Sequence, residues 1–246
     1  MRYTRLSFDQ QQTLLRRVVD RACPGSRGAK VVVLDLDGTL VDNRPRTCAI
    51  LHELAEHLRT SHPRDAAILR GVVPEALGYL VGDSLRALGV AADLVPEAEA
   101  FWKTKFFSDD PIRFDVAVPG AIAFARACYE RGAILAYFTG RDLPGMSVGT
   151  WKSLRDLGFP IGVPGAELIL KPTFEMPDEV FKQEIGPRLA RLGEVVAIFD
   201  NEPANCNTLL AQHASAETVL LDTQHFPGAP PLDPKVHVVG DLVMDG

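Results

Sequence analysis

Cysteine is sparse in this chain. Cys23, Cys48, Cys128 and Cys206 stand far apart, with no CxxC pair among them. That spacing gives no support for a zinc site and fits buried, reduced thiols of a cytoplasmic protein. Positive charge is also in short supply. Lys and Arg total 26 against 32 Asp and Glu, for a net charge of -6 and a pI near 5.5. A chain of this balance lacks the basic footprint of a nucleic-acid binder, so no nucleic-acid partner is expected beyond a nucleotide as small substrate. No apolar run approaches the length of about 18 residues that a membrane span needs. Residues 1–12 lack an apolar signal region. Neither a membrane partner nor an export signal is therefore expected. Repeats and low-complexity tracts are absent too.

What is present is enough apolar matter for a large core. Of 246 residues, 46% are hydrophobic, which suits one core domain with a small insertion. Residues 8–22 carry Leu14, Leu15, Val18 and Val19 at helical spacing, and a break follows at Cys23-Pro24-Gly25-Ser26. Short apolar runs then recur at 31–36, 133–138, 167–170, 195–199 and 218–221, with a weak one at 236–239. Such runs read as strands buried on both faces. Helical patterns at 121–131, 149–157 and 181–192 alternate with them. The alternation predicts an α/β fold, Rossmann-like, with a parallel sheet and helices on both faces. Residues 44–117 break the pattern, with helical segments at 48–59, 64–69, 74–87 and 96–107 and no strand. They are expected to form a helical cap. The core would comprise residues 1–43 and 118–246.

In an open parallel sheet, ligands bind beyond the carboxyl ends of the strands. Asp35-Leu36-Asp37-Gly38-Thr39-Leu40 follows the first run. Thr139-Gly140-Arg141-Asp142 follows the second, Lys171 the third, and Asp200-Asn201-Glu202 the fourth. In that order, and with the inserted helical segment, these motifs resemble the phosphatases of the haloacid dehalogenase superfamily over about residues 30–221. The stretch from Phe181 to Asp200 resembles its polynucleotide and acid phosphatase subgroup, in which a lysine opens the helix before the last motif.

The resemblance implies a magnesium-dependent phosphohydrolase working through an aspartyl-phosphate. Residue chemistry agrees. A phosphate monoester is anionic, so a cation must offset its charge before a carboxylate can attack. Asp35 is the candidate nucleophile. Asp37 is the candidate acid and base, which requires neighbours that let it hold a proton. Asp35 and Asp200 would hold Mg2+ through their carboxylates, and the resemblance adds the backbone carbonyl of Asp37. Asn201, Glu202 and Asn205 are candidates for supporting its waters. Thr139 and Gly140 would bind phosphate oxygens. For the charge-offsetting lysine, Lys182 is favoured over Lys171, because the rise of its helix returns it to the strand ends. Lys171 is kept as substrate-binding or as the replacement.

Each residue also has a bland reading. A lone aspartate after a strand more often serves a turn or a helix cap. The DxDGT arrangement after an apolar run is what lifts Asp35 and Asp37 above that. His52, His57 and His62 are spaced by five and do not share a helix face, so no metal site is expected there. Phe101, Trp102, Phe106 and Phe107 read as core of the cap, and Lys103 and Lys105 as a solvated face. Competing functions on the same scaffold are a phosphomutase, a carbon–halogen hydrolase and a non-catalytic binding protein. A halide leaves without a proton, so Asp37 speaks against the second.

Overall fold

The computed structural model describes residues 3–25 and 28–245. The chain opens with α1 (Phe8–Arg21), whose N-cap Ser7 and Gln10 satisfy each other's backbone amides in a capping box. Its buried stripe includes Leu14, Leu15 and Val18. Of the break expected after it, Ser26 lies outside the described residues. β1 (Lys30–Leu34) follows, then the short β2 (Val41–Asp42). Four helices come next: α2 (Arg44–His57), α3 (Pro63–Arg70), α4 (Val81–Ala87) and α5 (Val95–Phe106). The short β3 (Val116–Ala117) returns antiparallel to β2. The rest alternates: α6 (Ala121–Glu130), β4 (Ile134–Asp142), α7 (Leu143–Leu157), β5 (Ala166–Lys171), α8 (Asp178–Ile185), β6 (Glu194–Asp200), α9 (Pro203–Gln212), β7 (Glu217–Leu221) and β8 (His237–Val239).

The large sheet has the order β5-β4-β1-β6-β7-β8, and every pairing in it is parallel. β1 is central, which is why Val31–Leu34 are all buried: the sheet covers their edges and helices cover both faces. Leu14, Val18, Phe124 and Leu154 pack on one face. Phe181, Leu189 and Leu209 pack on the other. The helical insert has its own apolar core, built on Leu51, Leu54, Leu69, Leu85 and Val95. β2 and β3 are the two joints between insert and sheet. No helix among the described residues is long and apolar enough to cross a membrane.

Several elements differ in extent from the sequence expectation. The helix predicted at 149–157 begins at Leu143, because Asp142 caps it through Gly145 N at 2.8 Å and Pro144 suits a first turn. The helix predicted at 181–192 is α8 followed by a 3-10 stretch, Gly186–Arg191. Pro187 has no amide to continue the α pattern, and the carbonyl of Gln183 accepts instead from Gln212 Nε2 at 3.0 Å. The helix predicted at 74–87 divides into a 3-10 turn, Pro74–Ala76, and α4. Between them the Gly78 amide donates to Ser84 Oγ at 2.9 Å, which takes the chain out of helical geometry.

Candidate active site

β1, β4 and β6 are neighbours and run the same way, so their carboxyl ends converge. The ladder extends past β1, since the Asp35 amide donates to the Phe199 carbonyl at 2.9 Å. That bond sets Asp35 beside Asp200. Gly38 then turns the chain with φ +78°, and a Cβ there would collide with the Asn201 amide. A cavity of about 400 Å³ lies between these strand ends and the helical insert. Asp35, Asp37, Thr139, Gly140, Lys182 and Asn205 are among its lining residues.

Lys182 organises the centre. It lies on α8 and is 1% exposed. Its ammonium donates to Asp35 Oδ1 at 2.9 Å, Asp200 Oδ2 at 3.0 Å and the Phe138 carbonyl at 2.5 Å. All three donors of the group are thereby used. Burial opposes its charge, but the Asp200 and Asp35 carboxylates outweigh burial and hold its pKa above the usual lysine value. Asp35 is pushed up to about 7, first by burial and then by the nearby charges of Asp200 and Asp37, against the pull of Lys182. Two buried carboxylates on one ammonium leave a net negative charge when both are ionised. Asp35 Oδ2 takes a bond from Thr39 Oγ1 at 3.2 Å. Asp200 Oδ1 takes bonds from the Glu202 amide at 2.9 Å and Asn205 Nδ2 at 3.2 Å.

This donor set fits a hard divalent cation. It offers anionic oxygens and a charge surplus for a cation to neutralise, which suits Mg2+. No cluster of three or more His, Cys, Asp or Glu side chains able to hold a metal occurs among the described residues. Two carboxylates and a backbone carbonyl, with water completing the shell, are what the chain can provide.

Asp37 stands in a different environment from the one expected. Its carboxylate accepts from Arg141 Nε at 2.7 Å, Arg141 Nη2 at 2.8 Å, Arg46 Nη2 at 2.9 Å and Asn43 Nδ2 at 3.1 Å. Burial alone would raise its pKa, but the two guanidiniums dominate and hold it well below the usual carboxylate range. The expectation that neighbours would leave Asp37 a proton is therefore corrected: they remove it. Asp115 closes the network, accepting from Arg46 Nη2 at 2.5 Å and Arg141 Nη2 at 2.6 Å. Arg46 lies in the insert, Arg141 in β4 and Asp115 just before β3, so the network ties both joints to the sheet.

Arg46 and Asp115 were not singled out from the sequence. An arginine in the first turn of a helix reads as surface. Asp115 lies just before the second joint, and nothing in its local sequence marks it as buried. Breaking this buried network has a direct consequence. Asp115→Asn leaves two buried guanidiniums facing one carboxylate and is expected to cost roughly 3–5 kcal/mol, read by urea denaturation. A loss under about 1 kcal/mol would mean that water or Asp37 already serves the arginines.

The remaining candidates separate clearly. Thr139 and Gly140 lie on the cavity wall, and Thr139 Oγ1 also accepts from the Arg141 amide at 3.2 Å. Lys171 is not brought into the site. Its ammonium is held by Asp178 Oδ1 at 2.7 Å and the Phe174 carbonyl at 3.3 Å. Asn205 props Asp200, while the Asn201 amide donates to the Gln224 carbonyl. Burial pushes Glu202 up to about 7, against bonds from the Phe226 amide and the Tyr79 hydroxyl. Phe101 and Trp102 pack against the core of the insert, as read from the sequence, but Trp102 also lines the cavity, together with Phe106 and Phe107. His52 bonds the Val72 carbonyl and His57 meets the Phe101 ring, so the histidines form no joint site.

No protein-family model matches the chain, and no curated protein matches it. Solved structures do. One is a protein from Clostridium difficile provisionally assigned as a phosphatase, at 16% identity and TM-score 0.55, covering 85% of this chain and 94% of that one. Another is the Protein Tyrosine Kinase A of Mycobacterium tuberculosis, at 17% identity and TM-score 0.53, covering 88% and 95%. A third, from Bacteroides fragilis, is provisionally assigned as a haloacid dehalogenase-like hydrolase, at 13% identity and TM-score 0.50, covering 87% and 98%. The chain has the α/β fold of the haloacid dehalogenase superfamily, and the resemblance drawn from its motifs holds at the level of fold.

Proposed function

We propose that this chain, built on the haloacid dehalogenase fold, is a magnesium-dependent phosphohydrolase that cleaves a phosphate monoester through an aspartyl-phosphate on Asp35. The observation that carries the reading is the single ammonium of Lys182 joining Asp35 to Asp200 at the floor of the cavity. A carboxylate at that point faces incoming substrate, and a fixed cation beside it offsets charge as phosphorus is attacked. Mg2+ would be held by the Asp35 and Asp200 carboxylates and the Asp37 carbonyl. When bound it neutralises phosphoryl charge. Thr139 Oγ1 and the Gly140 amide, on the cavity wall, would donate to phosphoryl oxygens.

In the first half, an oxygen of Asp35 bonds to phosphorus and the P–O bond to the alcohol breaks. Asp37 is ionised by its arginines, so the departing oxygen takes its proton from water. In the second half, water attacks the aspartyl-phosphate and gives its proton to Asp37, which then returns it to solvent. Phosphate leaves and Asp35 is restored. Arg46 and Arg141 thus set the protonation state and the position of the base. The helical insert acts as a cap that limits water around the reacting groups.

The test is hydrolysis of a generic aryl phosphate by protein stripped of divalent ions. Turnover should fall to background and return with Mg2+. Full activity after exhaustive chelation would defeat the mechanism.

A further inference from the structure

The helical insert gives the cavity a wall unlike its floor. Trp102, Phe106 and Phe107 form one aromatic surface there, all partly exposed. Trp102 lies 4.5 Å from Phe106, centroid to centroid, tilted by 32°. Phe107 meets Trp102 edge-on at 5.9 Å and Phe106 at 5.1 Å. The rings are held in place by their neighbours. The Arg46 guanidinium sits 4.4 Å from the Phe106 centroid, so Phe106 is clamped between it and Trp102. Trp102 Nε1 donates to Thr47 Oγ1 at 3.1 Å, which leaves the indole only its π-face and carbon edges for a ligand. Leu80, Val81 and Met146 continue the apolar lining. Because Arg46 also bonds Asp37, this surface is one residue removed from the reacting centre.

Charge around the cavity narrows the ligand further. The lining cations are Lys182, Arg141 and Arg44, and each is already paired with carboxylates. Arg44 is held by both oxygens of Asp42. The other charged lining residues, Asp35, Asp37, Glu99, Asp178 and Glu202, are all acidic, with Asp178 paired to Lys171 and Glu99 near Arg86. A second phosphate or a carboxylate on the substrate would meet no unengaged cation and several carboxyl groups. The volume of about 400 Å³ suits a small ligand.

We infer that the substrate is a monophosphate ester whose alcohol part carries an uncharged aromatic ring, seated against Trp102 and Phe107. This deepens the phosphatase reading and rests on it. A polyol has too little apolar face for this wall, and a bisphosphate brings a second dianion for which the lining offers no unengaged cation.

The test compares benzyl phosphate, glycerol 3-phosphate and fructose 1,6-bisphosphate on the magnesium-loaded protein. All three leave as alkyl-type alcohols, so intrinsic reactivity differs little. Benzyl phosphate should exceed the others in kcat/KM by about tenfold or more, mostly through a lower KM. In Trp102→Ala the benzyl-to-glycerol ratio should fall about tenfold. Equal or reversed ranking in the wild type overturns the inference while leaving the phosphatase reading intact. A second arm needs no turnover. In a Trp151→Phe background, Trp102 fluorescence should titrate with benzylphosphonate at concentrations at least about tenfold below those of methylphosphonate. Equal titration overturns the ring site. If no ester is hydrolysed, the phosphatase reading fails and this arm still decides the ring site.

Discussion

Asp35→Asn should lower turnover of every phosphate ester by on the order of 10^4-fold or more, while the protein becomes more stable in the absence of divalent ions. The first effect follows from replacing an anionic nucleophile with a neutral amide of the same shape. The second follows from the site's charge. Asp35 is raised to about 7 in the fold because burial and the Asp200 and Asp37 carboxylates disfavour its ionised form more than Lys182 favours it. A carboxyl raised in this way contributes stability that is fully present below its unfolded value of about 4. That stability is lost as pH rises through about 7. Asparagine does not titrate, and its Oδ1 can still accept from Lys182. The variant's advantage should therefore widen from about pH 4 to about pH 7 and level off above that, reaching on the order of 5 °C in Tm at pH 8 in chelator. Magnesium should reverse the order, because it stabilises the wild-type carboxylate and binds the amide poorly. Retained activity would remove Asp35 from the mechanism. A variant no more stable than wild type at pH 8 would mean that the surplus negative charge is already compensated within the fold.

The strands were legible because a central strand buried on both faces shows itself as an unbroken apolar run, as 31–34 does. Their ends were legible because the run stops where Asp35 or Asp200 begins. Lys182 was favoured by the subgroup resemblance together with helix rise; α8 starts earlier and ends sooner than the expected helix, at Asp178 and Ile185, yet still brings Lys182 to Asp35. The arginine network was not legible. β4 continues to Asp142 with a register shift after Phe138, and that irregularity accompanies the burial of Arg141, which local pattern does not encode. Arg46 and Asp115 are separated by 69 residues and meet only because β2 and β3 pair. The aromatic wall failed for another reason. Helical periodicity tells that Trp102 and Phe106 face away from water, but their helix borders both the core of the insert and the cavity. Which of the two a ring faces depends on how the insert sits on the sheet.

Lys182→Met carries the other large effect, and its value is that it separates the two lysines. Methionine fills the space of the stem but removes the ammonium, so Asp35 and Asp200 are left buried without a cation to offset them. Breaking a buried pair from one side costs roughly 3–5 kcal/mol, and losing a fixed cation at the reacting centre costs about 10^2–10^3-fold in kcat. Lys171→Met should do far less. Lys171 holds Asp178, whose side chain is 57% exposed, so water can take over that carboxylate and the loss should stay within about 1 kcal/mol. A cation can substitute for an ammonium electrostatically, so magnesium should raise the Tm of Lys182→Met more than that of wild type. The comparison needs two thermal melts per variant, with and without Mg2+, and one rate. If Lys171→Met proves the more damaging to kcat, the charge-offsetting role belongs to Lys171, and the bonds from Lys182 to Asp35 and Asp200 serve the fold alone.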